Sequence, residues 1–125
     1  MTSNKKILII DDEYRLREVT KMILEMMGGW TVLTASSGYE GIAIARSDRP
    51  DAILLDMMMP EFDGTQTLAK LQGDTATQGI PVLLLTAKAM PIDANEFKNG
   101  VKAIVEKPFE PLQLPNLIAN ALDWH

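Results

Sequence analysis

Apolar positions in this chain fall in blocks. Ile7 to Ile10, Ala52 to Leu55, Val82 to Leu85 and Val101 to Val105 are nearly continuous runs. Runs of four to eight β-favouring residues bounded by turn formers are what strands buried on both faces of a parallel sheet require. Trp30 to Ala35 reads as a further short strand. Between the runs the period changes to that of a helix. Leu16, Val19, Ile23, Leu24 and Met27 predict one helix with that set as its buried face, stopped by Gly28-Gly29. Ser37 with Glu40 forms a capping box ahead of Ile42, Ala43, Ile44 and Ala45, a second helix.

Asp63 with Gln66 predicts the cap of a third helix, which carries Leu68 and Leu71, ends near Gly73 and is followed by a polar connection to Gly79. The segment from Lys88 to Gly100 has the weakest helical pattern: Pro91 interrupts its start, and Met90, Ile92, Ala94 and Phe97 are sparsely spaced. A helix there is expected to be short or mobile. Pro111 and Pro115 both belong in a first turn, so a single turn followed by a helix starting near Pro115 satisfies both. Leu117, Ile118, Ala121 and Leu122 supply that helix's buried face. The alternation, free of linkers, low-complexity tracts and repeats, predicts a single domain over residues 1–125 with a doubly wound α/β fold.

Composition narrows the function classes. The net charge is −5, from 12 Lys+Arg against 17 Asp+Glu, and the largest basic cluster is Lys5-Lys6, which argues against direct nucleic-acid binding. The chain has no cysteine, which removes disulfides, thiolate metal sites and cysteine nucleophiles. Nothing near Met1 resembles a secretory signal, and no stretch is long and apolar enough to span a membrane. The expected location is the cytoplasm. The only histidine, His125, reads as a solvated tail residue, which leaves no Ser-His-Asp triad and no internal phosphohistidine.

The chemistry concentrates where the apolar runs stop. Asp11-Asp12, Asp56, Thr86 and Lys107 each stand at or just beyond the carboxyl end of a predicted strand, the edge at which open α/β sheets bind ligands. Met singly, each has an ordinary explanation: a turn former or cap for the acids and the threonine, a surface cation for the lysine. Together they differ. Like charges ~4 Å apart repel by roughly 4 kcal/mol at an effective dielectric near 20, and a divalent cation relieves that repulsion. All-oxygen ligands suit Mg²⁺ or Mn²⁺. Asp56 beside such a cation is a candidate nucleophile toward a phosphoryl donor, with Lys107 and the Thr86 hydroxyl available to phosphoryl oxygens.

Asp11-Asp12, Asp56-Met57-Met58-Met59-Pro60 with Asp63-Gly64, Thr86-Ala87 and Lys107-Pro108-Phe109 resemble the receiver domain of bacterial response regulators, including chemotaxis regulators. The spacing agrees too: 44 positions from Asp12 to Asp56, 30 on to Thr86 and 21 on to Lys107. The resemblance covers essentially the whole chain. It implies a five-stranded parallel sheet in the order 2-1-3-4-5 flanked by five helices. It also implies phosphotransfer from a histidine kinase or histidine phosphotransfer protein to Asp56. Mg²⁺ would be held by Asp12, Asp56 and the Met58 carbonyl, and by Asp11 through water. A cis Lys107-Pro108 peptide is implied as well. Partners would be the phosphodonor and a downstream protein target, or a second phosphorylated copy. The chain would then be a stand-alone signalling module or the receiver of a larger regulator or hybrid kinase.

Departures from the family pattern fall near the site. The position three before Lys107, usually aromatic in the family, is Ile104, so the aromatic half of the usual switch is not expected and the threonine half is. The segment between Thr86 and Gly100 looks about one residue short. Met57, Met58 and Met59 read as an apolar cluster, and Met58, two after Asp56, is placed to affect the lifetime of an acyl phosphate, with Lys88 two after Thr86. A flavodoxin-like electron carrier fits poorly, because Asp11-Asp12-Glu13 would repel the flavin phosphate at the first loop. A phosphatase with an aspartate nucleophile would place its two acids two apart on one strand.

Overall fold

A computed structural model describes residues 4–59, 64–87 and 100–124. Five parallel strands form one sheet: β1 Lys6–Ile10, β2 Thr31–Ala35, β3 Ala52–Asp56, β4 Val82–Ala87 and β5 Val101–Lys107, in the order β2-β1-β3-β4-β5. Among the described residues four α-helices accompany it. They are α1 Tyr14–Ile23, α2 Gly38–Asp48, α3 Gly64–Gln72 and α4 Leu114–Leu122. The helix expected between Lys88 and Gly100, the Asp63 cap and His125 lie outside the described residues.

The continuous apolar runs are explained by two cores, one on each face of the sheet. Leu8, Ile10, Ile53, Leu55 and Leu84 pack with Ala45, Leu68 and Leu71 of α2 and α3. Ile7, Ile9, Leu54, Leu83, Leu85 and Val105 pack with Leu24, Leu114 and Ile118 on the side of α1 and α4. Strand side chains alternate between faces, so both sets must be apolar. Each large side chain taken fully from water contributes roughly 1.5–3 kcal/mol, and twelve of them, including Ile9, Leu54 and Leu84, are essentially inaccessible.

Local signals set the element ends. Ser37 Oγ accepts the Glu40 N–H, and Glu40 Oε1 in return accepts the Ser36 N–H at 2.6 Å, so the capping box closes one residue further back than the simplest form. Gly29, at φ 70°, ends the first helical segment with its N–H on the Glu25 carbonyl. Pro111–Gln113 form a 3₁₀ turn, and Pro115 then sits in the first turn of α4, as the two prolines require. The C-terminal Trp124 packs edge-on against Trp30, centroids 5.2 Å apart, and joins the end of α4 to the start of β2.

The first helix departs from the predicted buried face. Val19 and Met27 are exposed, and the inner stripe is Leu16, Thr20, Ile23 and Leu24, with Thr20 only 2% exposed. Threonine presents a methyl group as well as a hydroxyl, so a polarity pattern misassigns it. Met27 falls in a π-helical turn, Leu24–Gly28, whose wider spacing carries it round to solvent. The second strand begins at Thr31 rather than Trp30, because Trp30 turns onto Trp124.

Candidate functional site

Strand register brings the predicted residues to one edge. Ile10 lies opposite Leu55 and Asp56 opposite Leu85, so Asp11, one beyond Ile10, reaches the level of Asp56. On β5, Val105 lies opposite Leu85 and Lys107 opposite Ala87. Alternation then selects a face. Asp11 continues the parity of Ile7 and Ile9, Asp56 that of Leu54 and Lys107 that of Val105, all on the α1 side of the sheet.

The contacts agree with that geometry. Lys107 Nζ stands 3.3 Å from Asp56 Oδ1 and 3.7 Å from Asp11 Oδ2. Asp11, Asp12 and Asp56 each offer a carboxylate oxygen, all within 4.8 Å of one another. Asp11 and Asp56 are 1% exposed, while Asp12 faces solvent. Thr86 is buried next to the end of β4, opposite Glu106. Lys107-Pro108 is cis.

Two of the acids also perform the ordinary local task. Asp11 Oδ1 accepts the Glu13 N–H at 2.9 Å, and Asp56 Oδ1 accepts the Met58 N–H at 2.9 Å. These turns aim the carboxylates into the cluster, so the turn-forming reading and the chemical one hold together. Burial pushes the Asp11 carboxyl up to about 6. The charge of Asp56 and hydrogen bonding to it add to that rise, while the Glu13 N–H and Lys107 oppose it. Among the described residues one ammonium, Lys107, contacts two buried carboxylates of a cluster of three. That donor set, all oxygen and short of positive charge, fits a hard divalent cation.

Surrounding residues differ from expectation in detail. The methionines do not form one cluster: Met57 and Met59 are buried, and Met58 between them is 52% exposed at the rim of the site. Ile104 packs partly buried against the core of the α2 and α3 face, which is ordinary strand packing. Gly64, at the start of α3, approaches the site so closely that a Cβ there would stand 2.3 Å from the Met57 Cα and 2.8 Å from the Asp56 carbonyl oxygen. A hollow of about 370 Å³ beside Lys107 is walled by Glu13, Leu16, Ala87, Pro108 and Phe109. A larger one, about 830 Å³, lies between α2 and α3 near Arg46 and Asp74, at helix ends that point away from the acidic cluster.

One contributor carried no sequence motif. Arg17 Nη1 donates to the Asp11 backbone carbonyl at 2.9 Å. Its only sequence signal is a cation in the first turns of α1, where the helix dipole disfavours positive charge.

Comparison with known proteins agrees with the geometry. The family model described as the response regulator receiver domain matches residues 7–119. The response regulator Rre1 of Synechocystis is 35% identical over 117 residues, covering 93% of this chain and 51% of that protein. The transcriptional regulatory protein SrrA of Staphylococcus aureus is 38% identical over 112 residues, 89% of this chain and 45% of that protein. The chain thus spans about half the length of these relatives. Among solved structures, the N-terminal domain of a response regulator receiver protein from Methanoculleus marisnigri matches with TM-score 0.77 and 39% identity over 94% of this chain and 96% of that one. The chemotaxis response regulator CheY4 of Vibrio cholerae matches with TM-score 0.83 and 28% identity over 95% and 99%.

Proposed function

The chain belongs to the response regulator receiver domain family, and on that premise we propose that it is a cytoplasmic phosphoacceptor module with Asp56 as the accepting residue. The observation that carries the assignment is the convergence of Lys107 and the Asp11, Asp12 and Asp56 carboxylates at one sheet edge. The phosphodonor is a phosphohistidine on a kinase or phosphotransfer protein. A carboxylate oxygen of Asp56 attacks phosphorus, the P–N bond to imidazole breaks, and the departing imidazole nitrogen keeps the electron pair and takes a proton.

Each residue has a task in that transfer. Lys107 holds a phosphoryl oxygen and offsets the charge that builds on it, and the Thr86 hydroxyl donates to another. Asp12, Asp56 and the Met58 carbonyl would hold Mg²⁺ or Mn²⁺ directly, with Asp11 one water away. The cation supplies neutralisation of the carboxylates and of the transferring phosphoryl group. The hollow between Leu16 and Phe109 is the approach for the donor side chain. Release is a second displacement at the same site: water attacks phosphorus, the P–O bond to Asp56 breaks, and the carboxylate leaves as inorganic phosphate departs, so the module acts on no separate substrate.

Phosphorylation adds roughly 1.5 to 2 negative charges beside Lys107 and Thr86. We infer that Thr86 moves inward and alters the face next to β5 that a downstream protein reads, whether that protein is joined to the receiver, separate, or a second phosphorylated copy.

Incubation with acetyl phosphate and Mg²⁺, followed by intact mass, tests the assignment. One added phosphoryl group is expected on the wild type and none on Asp56→Ala. Equal labelling of both proteins would reject Asp56.

A further inference from the structure

Arg17 occupies a costly position. It lies in the second turn of α1, where the helix dipole opposes a cation. Its side chain is 14% exposed, and its Nε is buried without a hydrogen-bond partner, the nearest carboxylate oxygen, Glu18 Oε2, being 3.7 Å away. The guanidinium carbon lies 5.4 Å from the Tyr14 ring centroid. The guanidinium donates from Nη1 to the Asp11 carbonyl, at 2.9 Å. Neither helix formation nor its own polar satisfaction selects an arginine here.

That carbonyl belongs to the peptide joining Asp11 to Asp12. Asp11 is otherwise fixed at its N–H, which donates to the Ala35 carbonyl at 3.0 Å, and at Oδ1, which accepts from Glu13. With Arg17 on the carbonyl, both sides of Asp11 are held and the peptide plane leading into Asp12 is set. Asp12 is the exposed member of the pair, and among the described residues no side-chain hydrogen bond holds it. Its direction therefore depends on the peptide before it. Arg17 also brings a positive charge to the Asp11 carbonyl, beside the cluster that Lys107 contacts.

We propose that Arg17 is a positioning residue for the divalent cation: it fixes the Asp11–Asp12 peptide, so that both carboxylates face the ion without reorganising when it binds. The inference rests on the Mg²⁺-dependent reading above. Outer-shell partners of metal ligands typically change affinity by about 10–100-fold when removed. Arg17 is engaged with a backbone carbonyl rather than with the Asp56 carboxylate, so its loss acts on cation affinity and not on the transfer step once the site is filled.

Calorimetric titration with Mg²⁺ alone tests this, beside acetyl phosphate labelling at saturating Mg²⁺. Arg17→Met keeps the apolar stem and removes the donors; about 10-fold weaker Mg²⁺ binding is expected, with labelling at saturation within about 2-fold of wild type. Arg17→Lys, which retains charge and a donor, recovers part of the affinity. Ile23→Ala, on the inner face of the same helix, lowers thermal stability and leaves the affinity unchanged. Arg17→Met binding Mg²⁺ like wild type overturns the inference, as does an equal loss of affinity in Ile23→Ala. Should Arg17→Met fail to fold, the wild-type guanidinium resonances decide: slow Nη rotation supports the contact, and free averaging refutes it. A wild type that takes up no Mg²⁺ removes the metal reading itself and the inference with it.

Discussion

Lys107 Nζ lies 3.3 Å from Asp56 Oδ1, on the same oxygen that accepts the Met58 N–H. Lysine and divalent cation are therefore alternative sources of positive charge for the same carboxylates. Their chemistry nonetheless separates, because only the lysine is fixed to the protein and aimed at Asp56.

Lys107→Met should accordingly split two measurements. Labelling by acetyl phosphate is expected to fall by about 10²-fold, the usual loss when one preorganised donor to a developing anion is removed. Mg²⁺ affinity is expected to hold or rise, since a competing cation has gone. Rapid-quench labelling beside calorimetry reads both. Parallel loss of the two would mean that Lys107 is structural.

Asp11 gives a pH dependence with a definite sign. Its carboxyl is raised from the ordinary 3.8 to about 6, mainly by burial, so the folded state binds this proton more tightly than the unfolded chain. The stability this provides is full below about pH 4 and is lost as pH rises through about 6. The loss amounts to about 3 kcal/mol at most at about 1.4 kcal/mol per pH unit. Urea unfolding in EDTA should show this decline, and Asp11→Asn should flatten it and raise stability near neutral pH. Excess Mg²⁺ should flatten it in the wild type, because the cation favours the ionised form. A profile unaffected by both would contradict the raised value.

Gly64 ties the start of α3 to the end of β3, where Asp56 stands. A Cβ there would meet the Met57 Cα at 2.3 Å and the Asp56 carbonyl at 2.8 Å, and backbone atoms have little room to yield. Gly64→Ala should cost about 1–3 kcal/mol, the usual range for overpacking, and depress labelling by displacing Asp56. Gly79→Ala, where the added methyl meets nothing within 4 Å, is the matched control. Thermal melts of the two variants should diverge; similar midpoints would show that α3 can shift freely.

The parts of this molecule legible in its sequence are those encoded by period and spacing. Continuous runs such as Ile53 to Leu55 need two buried faces, and the strand order follows from the family resemblance that the motifs carry. The clustering of the Asp11, Asp12, Asp56 and Lys107 side chains was readable because each stands at the end of a run. What was not readable depends on rotation and backbone contact. Thr20 displaces Val19 from the inner face of α1 because a threonine methyl packs like an aliphatic group, and the π-helical turn redirects Met27. Arg17 works through a carbonyl, which leaves no side-chain pattern to find. The identity of Met58 placed it near Asp56, but only alternation against buried Met57 and Met59 shows it turned to solvent.

That alternation makes a separate test of Met58. Met58 is 52% exposed and its N–H donates to Asp56 Oδ1, so on the proposed reading its side chain borders the approach of water to an acyl phosphate there. Thioether and methylene groups do not orient that water, whereas an amide can donate to and accept from it. Met58→Asn should therefore shorten the phosphorylated lifetime severalfold with little change in thermal stability, since the residue contributes little to the core. Met57→Asn, which places an amide at a buried position, should instead cost several kcal/mol. The decay of phosphorylated protein after removal of acetyl phosphate measures the first effect and chemical denaturation the second. Equal lifetimes in wild type and Met58→Asn would show that water reaches the acyl phosphate by a route this side chain does not border.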